Sequence, residues 1–220
     1  MESRERVIRF GEKVTGYAVP VLNEREIRAS AGILFLVLFV AFMMVLFNND
    51  FLMVKYVIVV FLTDFFIRVV ISPRFSPTLI IGRLIVSGQT PEYVGAAQKK
   101  FAWKIGLSLS VLMFLHLVVL NASSVVTLSG CAICLVFLFF ESAFGICLGC
   151  LFYRCFYKHG PLYCTGDACE PKAKELIQKT SWAQIMVVVG LVIYIFTAIV
   201  LFNDNFKVAP RNLREIINRR

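Results

Sequence analysis

The stretch "SAGILFLVLFVAFMMVLF", Ser30 to Phe47, decides the fold because it runs without a single charged side chain. A helix that crosses a bilayer needs about 20 predominantly apolar residues, so the stretch predicts a membrane-spanning helix. Residues 1–29 before it are too long and too charged for a cleavable signal peptide. We therefore expect the stretch to act as a retained signal anchor.

Four further apolar blocks extend this pattern: Met53–Ile71, Trp103–Asn121, Val125–Tyr153 and Ala183–Phe202. The 220-residue chain is 59% hydrophobic and 17% charged, whereas soluble proteins are about 25% charged. The sequence thus predicts an all-α, multi-span transmembrane helical bundle with four core spans and a fifth. The first span is short and the fourth is long, so we expect the fourth to tilt or to project from the bilayer.

One membrane domain accounts for the length of the chain. Its predicted segments are a basic N-terminal segment over 1–29, a four-helix core over 30–153, a Cys-rich connection over 154–182, the fifth span over 183–202 and a basic tail over 203–220. Within the core, Ser76–Pro77 is a helix-start signal, and Arg83 interrupts the short apolar run that follows. This predicts an interfacial helix near 76–87.

The distribution of Lys and Arg predicts the orientation. The N-terminal segment and the two long connections carry basic residues, whereas the short connections Asn48–Leu52 and Asn121–Ser124 carry none. Under the positive-inside rule, the N-terminus and both long connections face the cytoplasm. The fifth span then sends the basic tail outward, against the rule, so either the tail lies outside or 183–202 does not cross. Its apolar character favours crossing.

The net charge of +9 points to the lipid bilayer as partner and not to nucleic acid. The basic residues flank the apolar blocks, where they fix topology and contact anionic lipid. The sequence offers no surface that interleaves basic and aromatic residues in the way that nucleic-acid binding uses.

Asp64, Arg68 and Glu141 lie deep inside predicted spans, where charge is costly. Asp64 and Arg68 are spaced i,i+4 and are expected to pair on one helix face. Arg68 lies about 22 Å and Glu141 about 24 Å from the outer ends of their spans, so a network of all three is expected. It could lock two helices together or form an anion or proton site.

His116, Cys131 and Cys134 lie near the outer ends of spans three and four. A structural zinc site normally needs four ligands, and only three are visible here. We therefore interpret these residues as packing residues and predict no metal; no cofactor-binding pattern stands out either.

The stretch "FGICLGCLFYRC", Phe144 to Cys155, holds the candidate catalytic thiols Cys147 and Cys150. Three secondary thiols follow: Cys155, Cys164 and Cys169. Nearby basic side chains lower a thiol pKa, whereas the dipole of the predicted helix C-terminus opposes a thiolate. A C-x-x-C pair facing the cytosol is typical of thiol–disulfide or sulfur-transfer chemistry.

A continuous fourth helix would separate these groups. Cys134 and Glu141 are seven residues apart and share a face, and the C-x-x-C thiols fall on roughly the opposite one. A proton relay from Glu141 to Cys147 is therefore not expected, unless Gly145 or Gly149 kinks the helix.

Two motifs carry a resemblance to a family: "RVVISPRFSP" at Arg68–Pro77 and "ESAFGICLGC" at Glu141–Cys150. With them, the chain from Val21 to Cys155 resembles bacterial membrane proteins of domain of unknown function 4395. The resemblance implies a multi-pass protein of the bacterial inner membrane without an established activity, and a thioredoxin- or rhodanese-like protein as partner. The Cys-rich loop, the fifth span and the basic tail are additions to the family pattern.

Three hypotheses follow for function. In the first, a membrane thiol-redox or sulfur-relay protein uses Cys147 as the attacking thiol and Cys150 as the resolving thiol. The second is a transporter or channel for a small sulfur-containing anion, whose path is lined by Asp64, Arg68, His116 and Glu141. The third is an accessory or scaffold subunit of a membrane assembly. The sequence favours the first.

Overall fold

The computed structural model describes residues 10–17, 19–156 and 179–212 and is mostly helical there. Its helices are α1 Glu24–Asn48, α2 Leu52–Phe66, α3 Pro77–Ile85, α4 Ala96–Phe114, α5 Val125–Phe139, α6 Leu148–Phe156 and α7 Trp182–Lys207. Single π-helical turns prolong α2, α4 and α5, over Ile67–Ile71, Leu115–Val119 and Phe140–Phe144. The all-α, multi-span prediction is confirmed.

Two pairs of very short strands mark the two ends of the bundle. β1 (Val21–Asn23) pairs antiparallel with β2 (Tyr93–Gly95). β3 (Ala122–Ser123) pairs parallel with β4 (Arg211–Asn212). The first pair places the beginnings of α1 and α4 side by side, because each strand leads directly into its helix.

Four helices are long and apolar enough to cross a membrane: Glu24–Asn48, Ala96–Val119, Val125–Phe144 and Trp182–Lys207. Their length and composition indicate a membrane protein. The helix Leu52–Ile71 has a similar length but carries Lys55, Asp64 and Arg68, each no more than 2% exposed. Its charges point into the bundle, as expected for charged side chains at membrane depth.

α1 begins earlier than the sequence predicted, so the first span is not short. The Asn23 side chain accepts a hydrogen bond from the Arg25 N–H at 3.2 Å, and Glu24 and Glu26 occupy the first turn, where the helix dipole favours negative charge. The helix ends at Asn48, and the next residue, Asn49, caps it with a left-handed φ of +52°.

The predicted single helix Val125–Tyr153 is wrong. The helix of α5 and its π turn ends at Gly145, whose φ of +68° is left-handed, and α6 starts at Leu148. Glycine suits this position because a Cβ would be strained at that φ and would lie 3.3 Å from the Arg28 guanidinium. α6 then turns onto α4, where Gly149 allows close packing against Ala102.

α7 extends along the bundle and is held to it at both ends. Near its beginning, Gln184 Nε2 donates to the Arg74 carbonyl at 2.9 Å. Near its end, Lys55 Nζ donates to the carbonyls of Phe206 (3.3 Å) and Val208 (2.9 Å). A helix that passes from one end of the bundle to the other agrees with the predicted fifth span. Which side of the membrane the tail occupies stays a prediction.

The short helix predicted near 76–87 is present as α3, and it packs closely on α1. A Cβ at Gly82 would lie 2.6 Å from the Glu26 carbonyl oxygen, so the two backbones approach in a way that only glycine permits. Ser76 caps α3, because its Oγ accepts a hydrogen bond from the Leu79 N–H at 3.3 Å. Its location at a membrane surface stays a prediction.

Candidate functional site

Asp64 and Arg68 form the predicted ion pair, with Arg68 Nε 2.7 Å from Asp64 Oδ2 and both side chains at most 3% exposed. The Asp64 carboxylate also accepts hydrogen bonds from the hydroxyl of Ser76 (2.7 Å) and from the N–H (3.1 Å) and hydroxyl (2.9 Å) of Thr78. Arg68 Nη2 donates to the hydroxyls of Ser30 and Thr78. Hydroxyl groups therefore surround this pair.

Aromatic rings complete the surroundings of Arg68. Its guanidinium carbon lies 5.0 Å from the centre of the Phe65 ring and 5.2 Å from that of Trp103, which adds cation–π attraction. With Ser30 on α1 and Thr78 on α3, the cluster joins four helices. The motif at Arg68–Pro77 thus has a structural explanation: its first residue bonds to Ser76, the cap of α3.

Glu141 belongs to a second cluster, which corrects the predicted three-membered network. Lys99 Nζ lies 2.8 Å from Glu141 Oε1, and 2.9 and 2.8 Å from the two carboxylate oxygens of Glu24. Lys99 is only 1% exposed. Arg68 and Glu141 lie at similar depths along their helices but do not form a common network. Glu141 is directed instead towards the beginnings of α1 and α4.

Sequence reasoning missed Glu24 and Lys99 as members of the site. Both lie in the first turn of a helix, α1 and α4, and these turns precede the apolar blocks that begin at Ser30 and Trp103. Helix-start signals were the available clue for α1, since Asn23 precedes two glutamates. No comparable signal precedes Lys99.

Cys147 and Cys150 lie beside this second cluster, at the beginning of α6. The Cys150 N–H donates to Cys147 Sγ at 3.3 Å, so the sulfur occupies the position of a helix cap. The expectation of a helix C-terminus is corrected by the break at Gly145. The dipole of α6 now favours a Cys147 thiolate instead of opposing it.

Other neighbours of Cys147 keep it protonated. The contact with the Cys150 side chain, burial and the Glu141 carboxylate all raise the pKa of the Cys147 thiol, and the Lys99 ammonium acts in the opposite direction. The net effect is a pKa well above the usual range of a thiol. The resting group is therefore a neutral thiol next to a carboxylate and an ammonium.

A cavity of about 50 Å³ connects these groups. Cys134, Glu141 and Cys147 all line it, together with Trp103. Glu141 and Cys147 would lie on opposite faces only if the helix were continuous. The helix breaks at Gly145, so both side chains reach the same cavity. The indole N–H of Trp103 is buried and has no hydrogen-bond partner among the described residues.

The remaining candidate residues lie elsewhere. His116 is half-buried in the π turn after α4, and Cys131 lines a separate cavity of about 20 Å³, to which Cys134 also contributes. Within the described ranges, no three His, Cys, Asp or Glu side chains are grouped to hold a metal. The side chain of Cys155, and Cys164 and Cys169 entirely, fall outside the described part of the chain.

No curated protein matches this chain, and no solved structure does so. One family model matches, over residues 22–158. The match includes α1 to α6, and therefore both charged clusters and the C-x-x-C pair, whereas α7 lies beyond it. Because it includes more than half of the 220 residues, the chain belongs to the family described as Domain of unknown function (DUF4395).

Proposed function

We propose that this protein is a membrane thiol–disulfide exchange protein, in which Cys147 is the attacking thiol and Cys150 the resolving thiol. The observation that supports this most strongly is the juxtaposition at the break after Gly145. There, two thiols in contact at a helix N-terminus adjoin the partly buried carboxylate of Glu141 and the buried ammonium of Lys99. Thiols that react by exchange are typically found beside positive charge at helix N-termini.

The exchange requires a partner disulfide. The Cys147 thiolate attacks one sulfur of that disulfide, forms a mixed disulfide and releases the other sulfur as a thiolate. Cys150, after losing its proton, attacks the sulfur of Cys147 and releases the second partner sulfur. The products are a Cys147–Cys150 disulfide and a dithiol partner that carries the two protons; the reverse sequence reduces the protein.

Glu141 is the group that can accept the Cys147 proton. Loss of this proton to water would add negative charge to a buried cluster that already contains the carboxylates of Glu24 and Glu141. Transfer to Glu141 leaves the total charge unchanged, and the Lys99 ammonium then stabilises the thiolate. Lys99 acts as a positioning residue, because it holds Glu141 at 2.8 Å.

The proposal is tested by equilibrating the purified protein with glutathione buffers of graded potential and trapping its thiols by alkylation. Mass spectrometry should show a Cys147–Cys150 disulfide whose fraction follows the buffer potential as a two-electron couple. Cys131→Ser is the matched control, since this buried thiol lies in the separate cavity, and it should give the same curve. Persistent reduction of both thiols in oxidised glutathione would overturn the proposal, and a persulfide on Cys147 would redirect it to sulfur transfer.

A further inference from the structure

We infer that the cleft between α7 and the bundle binds one acyl chain of an anionic membrane lipid, whose headgroup lies beside Lys55. The cleft has a volume of about 580 Å³. Val59 and Phe114 line it on the bundle side, and Tyr194, Leu201 and Phe202 line it on α7. This inference is independent of the proposed thiol exchange, because the cleft adjoins neither thiol.

The cleft exists because α7 is fixed at its ends and not along its length. The Gln184 contact fixes one end, and the Lys55 contacts fix the other. Between them, Tyr194 and Leu201 remain 45% and 65% exposed, so the cleft opens sideways to the surroundings of the helix. In a bilayer, those surroundings are hydrocarbon chains, which fill an apolar cleft without displacing bound water.

The length of the cleft matches one leaflet. Its lining on α7 runs from Tyr194 to Phe206, which corresponds to about 18 Å at 1.5 Å per residue. The hydrocarbon core of a bilayer is about 30 Å thick, so one leaflet contributes about 15 Å. An acyl chain inserted from the Lys55 end would reach the inner end of the cleft near the bilayer centre.

Lys55 supplies a charge that selects the headgroup. It is 2% exposed and lines the cleft, and its hydrogen bonds to described residues all go to uncharged oxygens: the Asn121 side chain at 2.8 Å and the Phe206 and Val208 carbonyls. In the described part of the chain it forms no ion pair. A buried ammonium without a counter-charge is unfavourable, and a lipid phosphate at this end would neutralise it.

The test is native mass spectrometry of the full chain in detergent micelles, titrated with phosphatidylglycerol or phosphatidylcholine of identical acyl chains. We expect one saturable phosphatidylglycerol site with about fivefold tighter binding than phosphatidylcholine, as one basic side chain near an anionic lipid provides. Ala198→Phe fills the cleft and should abolish the saturable site. Val200→Phe, on an exposed position outside the lining, is the matched control and should keep it.

Lys55→Met should bind both lipids equally, because it removes the charge and retains a long side chain. Ala198→Phe leaves the Lys55 contacts with α7 intact, so the test of the cleft does not depend on the folding of the Lys55 variant. Equal binding of both lipids by the wild type would overturn the inference. Non-saturable binding, or equal loss in Ala198→Phe and Val200→Phe, would also overturn it.

Discussion

The two buried charged clusters of this bundle differ in what surrounds their charges. Around Asp64 and Arg68, hydroxyl groups and aromatic rings occupy the neighbouring positions. Around Lys99, two carboxylates share one ammonium, and a thiol and a cavity lie next to them. The first arrangement is suited to holding helices together, and the second retains groups that can exchange a proton.

The largest expected effect comes from breaking the first cluster. Arg68→Met leaves the Asp64 carboxylate buried without its cation, and this should lower the free energy of unfolding by about 3–5 kcal/mol. Thermal unfolding in detergent micelles measures the loss. Arg74→Met is the control, because Arg74 is 41% exposed and pairs with Glu12 at 3.1 Å; its cost should stay below about 1 kcal/mol. If both variants lost the same free energy of unfolding, the stabilising role would not be specific to the Asp64–Arg68 cluster.

An intermediate effect is expected from removing the break that creates the second cluster. Gly145→Ala should lower the free energy of unfolding by about 1–2 kcal/mol, because alanine is strained at the left-handed φ of this position. The variant should also change the alkylation rate of Cys147. Gly190→Ala is the control: it lies within α7, and an added Cβ there meets no other described part of the bundle within 4 Å, so alanine should be neutral or stabilising. An unchanged Cys147 rate in Gly145→Ala would argue against the role of the break.

A smaller change in stability, but a specific change in reactivity, is expected for Glu141→Gln. In the wild type, internal transfer of the proton from Cys147 to Glu141 should make the alkylation rate nearly independent of pH near neutrality. The glutamine variant has no acceptor there, so its rate should rise about tenfold per pH unit as the thiol titrates. Removing the carboxylate that raises the Cys147 pKa should also shift this rise to lower pH.

Glu24→Gln is the matched control for that profile. It removes a carboxylate from the same lysine, but it leaves Glu141 beside Cys147, so the flat profile should persist. Lys99, the cation that acts on the Cys147 thiol from α4, is unchanged in both variants. A wild-type rate that already rises tenfold per unit would show that Glu141 acts on Cys147 only through its charge.

The sequence predicted the helices well because long apolar blocks leave few alternatives. It placed the helix starts too late at Ser30 and Trp103, since charged first turns resemble connections. It drew 125–153 as one span and named Gly145 only as a possible kink, because membrane helices ordinarily tolerate glycine. The i,i+4 spacing predicted the Asp64–Arg68 pair but not its other partners. Ser30, for example, comes from a different helix, and its contact with Arg68 depends on how α1 packs.

The most direct test of the central claim is to trap the mixed disulfide with glutathione in Cys150→Ser and in Cys147→Ser, each compared with Cys131→Ser. The account predicts that Cys150→Ser accumulates glutathione on Cys147, because the resolving thiol is absent. In Cys147→Ser, the remaining Cys150 should accumulate much less. Equal trapping on both thiols, or none on Cys147, would contradict the assignment of Cys147 as the attacking thiol.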